Sequence, residues 1–152
     1  MYLYSLDSYL YRNLNWHART KTYNERMGCF AVILSDVLKQ ATRYREEHIT
    51  NRTVFRGLTL TPDDIRQYKT NNVINLAGYA STSQNINQSL GFAFGENNPA
   101  RKPVLFHIDL HDDNRNGFCF QMNKICYTKF PEEEEILLDD GRPFEITEIL
   151  KE

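Results

Sequence analysis

The sequence predicts an α+β domain in which helices come first and a mostly antiparallel sheet system follows. Apolar residues recur at three-to-four spacing in the first third, as in amphipathic helices, whereas short β-branched and aromatic segments take over after Thr50. The segments of the two types do not alternate, and this order favours an α+β domain over a doubly wound one. The 152 residues contain no internal repeat and no linker. We therefore expect a single domain, residues 1–152, with a helical region (residues 1–50) and a sheet region (residues 51–152).

Two amphipathic helices are expected in the helical region. Their apolar positions are Leu3, Leu6, Leu10 and Leu14 for the first, and Phe30, Ile33, Leu34, Val37, Leu38 and Ala41 for the second. The polar stretch 17–26 between them is either a loop or the beginning of the second helix. Trp16 and the nearby tyrosines are expected to pack in the interior.

The sheet region contains segments typical of strands and two segments typical of helices. The expected strands are 53–58, 73–76, 79–83, 104–110, 118–122, 135–138 and 143–150. One helix should begin at Thr61, which is suited to the N-cap, with Pro62 at the first helical position, and should end near residue 70. The second helix should span residues 85–94. Residues 111–117 are expected to form a loop, and residues 139–141 a turn.

The composition excludes several classes of function. The net charge is −2 and no basic block is longer than Arg101-Lys102, so we expect no nucleic-acid partner. No apolar run approaches ~18 residues, which predicts no membrane span. Cys29, Cys119 and Cys126 show no metal-ligand spacing, which predicts buried or half-buried free thiols and no metal. With no visible signal peptide we expect a cytoplasmic protein, although a secreted or delivered effector stays open. We also expect a monomer.

The most unusual stretch runs from Phe130 to Leu138, where four consecutive glutamates lead directly into Ile-Leu-Leu. The apolar triplet is typical of a buried strand. If that strand reaches back through the glutamates, its period of two puts Glu133 and Glu135 on one face, about 7 Å apart. The alternatives are a solvated acidic turn before an edge strand, and a register that pairs Glu132 with Glu134.

Two further polar features lie on predicted strands. Arg56 interrupts the first strand, and a buried arginine needs an anionic partner, either a protein carboxylate or a ligand phosphate. Ser81-Thr82-Ser83 ends a later strand. Because Ser81 and Ser83 share a face, either hydroxyl could hold a carboxylate in place.

In this order, Phe55-Arg56-Gly57, Ser81-Thr82-Ser83 and Glu133-x-Glu135 resemble the mono-ADP-ribosyltransferases. The pattern looks like the Arg-Ser-Glu branch, which includes clostridial binary toxins and vertebrate ecto-ADP-ribosyltransferases. The branch that includes diphtheria toxin has a histidine where Arg56 stands, and is disfavoured. The resemblance implies a split β-sandwich and NAD as a substrate, bound without a Rossmann unit.

The resemblance also implies which residues bind NAD. Arg56 would contact an NAD phosphate and brace the site. The backbone of Gly57 would bond to the nicotinamide carboxamide, a close approach that suits a residue without a Cβ. Residues Ser81, Thr82 and Ser83 would line the NAD site. Phe92, or alternatively Phe94, would stack on nicotinamide.

The remaining implied roles concern the two glutamates and the acceptor. Glu135, oriented by Ser81, would bond to the 2′-hydroxyl of the nicotinamide ribose. Glu133 would position and deprotonate the acceptor, and Phe130 would contact the acceptor protein. A glutamate at position 133 implies an arginine acceptor. Two other functions stay open: NAD hydrolysis at the same site, and a catalytically silent interaction domain.

Overall fold

The computed structural model describes residues 9–22, 24–44, 52–76, 78–95, 97–111, 119–122 and 130–151. In chain order its elements are α1 (Tyr9–Thr20), α2 (Glu25–Tyr44), β1 (Arg52–Leu60), α3 (Pro62–Gln67), β2 (Val73–Asn75), β3 (Ala80–Ser83), α4 (Ile86–Phe94), β4 (Lys102–Leu110), β5 (Cys119–Gln121), a 3₁₀ turn (Pro131–Glu133), β6 (Glu135–Leu138) and β7 (Pro143–Glu145). The predicted order of helices followed by an antiparallel sheet system is confirmed.

The described strands form two antiparallel sheets. Five strands pair in the order β4-β1-β3-β6-β5, and β2 pairs with β7 in a separate two-stranded sheet. The three motif-bearing strands, β1, β3 and β6, are consecutive in the larger sheet and occupy its interior. Motifs that are far apart in the sequence therefore lie on adjacent strands.

Each face of the larger sheet is covered by apolar side chains, because successive residues of a strand point to opposite faces. On β6, Leu137 belongs to one cluster, and Ile136 and Leu138 belong to the other. The first cluster includes Leu14 of α1 and residues of α2, so these helices cover one face. Phe144 of β7 packs against the second cluster, on the side of the small sheet.

Helix α2 forms as predicted, but its apolar stripe is only partly buried. Leu34 and Leu38 are 4% and 0% exposed, whereas Ile33 and Val37 are 60% and 42% exposed. Only the side of the stripe that faces the sheet makes core contacts. Trp16 is also exposed, so the expectation that it packs in the interior is wrong.

Several predicted boundaries shift. Helix α1 continues to Thr20 and α2 begins at Glu25, so the polar stretch 17–26 is mostly helical. The last strand ends at Glu145, not at residue 150, because only its first three residues pair with β2. The N-cap at Thr61 is confirmed, with its hydroxyl accepting a hydrogen bond from the Asp64 backbone amide. Leu3, Leu6, residues 112–117 of the expected loop, and residue 118 of the fifth expected strand lie outside the described residues.

The cysteines differ from one another in burial. Cys119 is buried, and this burial raises the pKa of its thiol to about 12. Cys29 is exposed on α2, against expectation, and Cys126 lies outside the described residues. No helix in the described segments of the chain is long and apolar enough to cross a membrane.

Candidate active site

An open pocket lies where β1, β3, α4 and the acidic turn meet. The acidic turn is the segment 130–134, which contains the 3₁₀ turn and leads into β6. The pocket is lined by Phe55, Arg56, Gly57, Ser81, Thr82, Ser83, Ser89, Phe92, Glu133 and Glu135. All three sequence motifs contribute to this lining. Their convergence follows from the strand order, which makes β1, β3 and β6 neighbours.

Arg56 links the first two motifs. Its Nη1 atom donates a hydrogen bond of 2.7 Å to the backbone carbonyl of Ser81. The register between β1 and β3 consists of one pair, Phe55 with Ser83, so the guanidinium adds a connection where the pairing of the two strands is short. The partner in this contact is a neutral carbonyl, and the anionic partner expected from the sequence stays a prediction.

Gly57 allows α4 to pack against β1. A Cβ atom at this position would overlap the carbonyl oxygen of Ser89 and lie 2.9 Å from the backbone nitrogen of Ala93. Both atoms belong to the helix backbone, so neither can rotate away. The glycine therefore has a packing role that the sequence did not reveal, in addition to any contact with a ligand.

Glu135 is the first residue of β6 and lies opposite Ser83 in the β3–β6 register. Burial raises the pKa of its carboxyl, and a hydrogen bond from the Ser81 side chain acts in the opposite direction. Ser81 is thus the serine that contacts the Glu135 carboxylate. Thr82 points elsewhere, and its hydroxyl donates a bond of 2.7 Å to the carbonyl of Ile136.

The acidic turn is not a continuation of β6, so the expected extended conformation of Glu133 is wrong. Pro131–Glu133 forms a 3₁₀ turn, and Glu134 has a left-handed conformation with φ 46° and ψ 45°. The fixed φ of a proline suits such a turn. Hydrogen bonds that join Glu133 and Glu134 to residues at the end of β3 hold this conformation, and a sequence pattern does not show them.

Glu133 nevertheless lines the pocket together with Glu135. Burial raises the pKa of the Glu133 carboxyl most, and the charges of Glu135 and Glu132 raise it further. The two carboxylates are thus close enough to interact. Glu132 and Glu134 are outside the pocket lining, which favours the Glu133–Glu135 pair over the other register.

The predicted aromatic residues take different positions. Phe92 and Phe94 are both exposed, at 58% and 69%, but only Phe92 is among the residues that line the pocket. Phe130 is half-buried at the beginning of the acidic turn, also outside the lining.

Sequence reasoning missed two lining residues, Phe55 and Ser89. The strand period puts Phe55 on the same face as Gly57, a signal that the sequence does contain. Ser89 has no comparable signal, because its position depends on how α4 packs. Among the described residues, no group of three or more His, Cys, Asp or Glu side chains could hold a metal ion.

Comparisons with known proteins identify the fold. No protein-family model and no curated protein matches the sequence. The chain is similar to the ADP-ribosyltransferase Vis in complex with agmatine, with a TM-score of 0.70 and 18% identity over 98% of this chain and 65% of that one. For Vis with the M6 inhibitor, the TM-score is 0.68 and the identity 17%, over 99% and 64% of the two chains.

The Vis toxin, an ADP-ribosyltransferase from Vibrio splendidus, gives a TM-score of 0.65 at 17% identity, over 98% of this chain and 64% of that one. The chain thus spans 64–65% of the length of the Vis structures that it matches. Almost all of this chain takes part in each match. Together with the two antiparallel sheets and the preceding helices, these matches show that the chain has the ADP-ribosyltransferase fold.

Proposed function

We propose that this chain is an NAD-dependent mono-ADP-ribosyltransferase that moves ADP-ribose from NAD to a protein arginine and releases nicotinamide. The observation that carries this proposal is a pair of carboxylates, Glu133 and Glu135, that share one pocket and both have a raised pKa. The two carboxylates are held in place by different contacts. Ser81 bonds to Glu135, whereas Glu133 lies on a turn and interacts electrostatically with Glu135.

Glu135 suits the step in which NAD is cleaved. When the bond between the ribose C1′ and the nicotinamide nitrogen breaks, its electron pair leaves with nicotinamide, which departs neutral. Positive charge then develops on the ribose, as in glycoside hydrolysis. A carboxylate held by β6 and Ser81 stabilises that charge without reorganising, which is the most effective form of electrostatic catalysis.

Glu133 suits the step in which the acceptor reacts. An arginine guanidinium has a pKa above ~12 and is a poor nucleophile while it is protonated. Glu133 accepts one of its protons as the guanidinium nitrogen forms its bond to C1′. A carboxyl with a raised pKa is the stronger base, so the environment of Glu133 favours this role.

Three other lining residues are proposed to bind NAD. Phe92 offers an aromatic surface for nicotinamide, and the backbone of Gly57, which also lines the pocket, is proposed to bond to the carboxamide. Arg56 braces β1 to β3 in the described structure, and its contact with an NAD phosphate belongs to the proposal. Phe130, at the start of the acidic turn that carries Glu133, is proposed to contact the acceptor protein.

An arginine acceptor has one further support. Vis, whose fold this chain shares, has been solved in complex with agmatine, a small guanidine. Agmatine is therefore a suitable model acceptor for this chain, because it carries the guanidinium without the rest of a protein substrate.

The test measures nicotinamide release from NAD and formation of ADP-ribosylagmatine, with and without agmatine. We expect agmatine to stimulate nicotinamide release in the unchanged protein. Glu135→Gln should reduce both products by about 10²–10³-fold, the typical cost of losing a preorganised electrostatic contact. Glu133→Gln should reduce transfer by about 10²–10⁴-fold and leave NAD cleavage within a few-fold, since it removes only the base.

The outcomes separate the candidate functions. Nicotinamide release that is indifferent to agmatine would identify an NAD glycohydrolase instead. An equal loss of both activities in Glu133→Gln would contradict separate roles for the two glutamates. If the protein neither binds nor cleaves NAD, the enzymatic proposal is wrong and an interaction domain remains.

A further inference from the structure

Ser83 has a buried hydroxyl with two strong hydrogen bonds. The residue is only 4% exposed to solvent. The hydroxyl donates a bond of 2.6 Å to the backbone carbonyl of Glu133 and accepts a bond of 2.9 Å from the backbone amide of Asn85. Both bonds go to main-chain atoms, so they constrain the path of the chain at two places.

These two places belong to two different elements that contribute lining residues to the pocket. Glu133 belongs to the acidic turn, whereas Asn85 is the N-cap of α4, the helix that carries Phe92. A single hydroxyl on β3 thus connects the turn that carries one carboxylate with the start of the helix that carries the pocket aromatic residue.

The acidic turn depends on such external support. Its own backbone bonds are two, from Glu133 to the carbonyl of Phe130 and from Glu134 to that of Pro131, at 3.1 and 3.3 Å. Glu134 adopts a left-handed conformation, which is unfavourable for residues with a side chain. Two bonds from the end of β3 supply the external support: the Ser83 hydroxyl donates to the carbonyl of Glu133 at 2.6 Å, and the Gln84 amide donates to that of Glu134 at 3.3 Å.

Glu135 does not share this dependence. It is the first residue of β6, which pairs with β3 on one side and β5 on the other, and its carboxylate is bonded by Ser81. Loss of the Ser83 hydroxyl should therefore displace Glu133 and leave Glu135 in place.

We infer that Ser83 is a positioning residue for transfer: it holds the acidic turn so that Glu133 meets the acceptor, and it sets the ratio of transfer to NAD hydrolysis. This inference rests on the proposed function. Ser81 serves the step in which NAD is cleaved, and Ser83 serves the step in which the acceptor reacts. The two serines of one strand thus support the two glutamates separately.

The main test compares Ser83→Ala with the unchanged protein for transfer to agmatine and for NAD hydrolysis without agmatine. We expect transfer to fall by about ten- to a hundredfold, since a small misplacement of a reacting group has effects of this size. Hydrolysis should fall much less than transfer, so that the ratio of transfer to hydrolysis decreases. Ser83→Thr, which keeps the hydroxyl, should restore some of the transfer activity.

Tyr79→Phe is the matched control. Tyr79 is also 4% exposed, and its hydroxyl also donates to a backbone carbonyl, that of Ala31, at 2.9 Å. Its loss removes a comparable bond away from the pocket lining. The ratio of transfer to hydrolysis should stay unchanged in this variant. An unchanged ratio in Ser83→Ala as well, or an equal fall of both activities, would overturn the inference.

A second measurement does not require activity. A protease that cleaves after glutamate has its sites in the acidic turn itself, and mass spectrometry identifies which bonds are cut. Cleavage after residues 132–134 should accelerate in Ser83→Ala and not in Tyr79→Phe, and an unchanged rate would contradict the positioning role. If the unchanged protein shows no transfer, the proposed function fails, while this rate still reports whether Ser83 holds the turn.

Discussion

The Ser81 hydroxyl donates to a carboxylate whose pKa is already raised by burial. The two effects on Glu135 have opposite signs: burial favours the neutral acid, and the hydrogen bond favours the charged form. The proposed chemistry needs the charged form beside the ribose. Ser81 therefore keeps more of Glu135 ionised than its buried position alone would allow.

Ser81→Ala tests this balance through pH. Without the hydrogen bond the pKa of Glu135 should rise further, so the loss of NAD cleavage on acidification should begin at a higher pH. The measurement is the pH dependence of nicotinamide release. Thr53→Ala, which removes an exposed hydroxyl bonded to Asp109 on β4, is the control and should leave the profile unchanged. A profile in Ser81→Ala that coincides with that of the unchanged protein would contradict this role.

At the scale of residues, the sequence could predict which side chains come together at the site. It could not predict the orientation or the backbone conformation of each one. Phe92 and Phe94 are both candidates from the sequence. Residues two apart on a helix face in different directions, so α4 can present only one of them to the pocket. Choosing Phe92 required the orientation of α4. The conformation of the acidic turn depends on contacts with Ser83 and Gln84, which lie about 50 residues away in the chain.

Among the elements, α4 and β1 are the pair whose contact shapes the pocket wall. The helix lies so close to the strand at Gly57 that the backbone of Ser89 occupies the space of a side chain. This contact brings Phe92 towards the carboxylates. The position of the helix therefore depends on the absence of a Cβ at one residue of β1.

Gly57→Ala should destabilise the fold by about 3 kcal/mol or more, because overpacking against backbone atoms is not relieved by rotating a side chain. Gly91→Ala is the matched control: its Cβ would have no atom within 4 Å, and it lies in α4 itself. Alanine in place of glycine within a helix should stabilise by about 0.5–1 kcal/mol. Urea unfolding followed by circular dichroism measures both, and equal stability of the two variants would contradict the packing argument.

The elements themselves were largely predictable, because periodicity and caps are local signals. Thr61 and Pro62 identified the beginning of α3, and the strand 135–138 was predicted with its observed bounds. The burial of α2 was not predictable in detail. Ile33 and Leu34 are equally apolar, and only the packing of the helix on the sheet decides which of them is buried.

For the whole molecule, the larger sheet has an apolar cluster on each face, and residues of its three interior strands line the candidate site. The core positions of β6 directly follow Glu135, so the carboxyl is held against a fully buried segment of the chain. A buried carboxylate with a raised pKa costs stability at neutral pH, since the folded state disfavours the charge that the unfolded state carries freely.

Glu135→Gln should therefore make the fold more stable at pH 7, by about 0.5–2 kcal/mol, while it removes most of the activity. The sign follows from the raised pKa in the folded state. The gain is largest above that pKa and disappears as the pH falls below the ordinary value of about 4.3, where both states are protonated. Denaturant unfolding at a series of pH values measures it, and a variant less stable than the unchanged protein at pH 7 would contradict the prediction.

The interior position of β3 and β6 has a consequence for the exchange of amide hydrogens with solvent. Amides of a strand that is paired on both sides exchange only when much of the fold opens, whereas a short turn exchanges through local opening. Strand β6, which begins at Glu135, is therefore expected to exchange slowly, and the acidic turn that carries Glu133 is expected to exchange rapidly. The boundary between the two kinetic regimes passes between the two carboxylates. Glu135, which is proposed to face the ribose, is thus held in a fixed position, and the ribose is the same in every turnover. Glu133, which is proposed to face acceptors of differing shape, keeps some freedom to adjust.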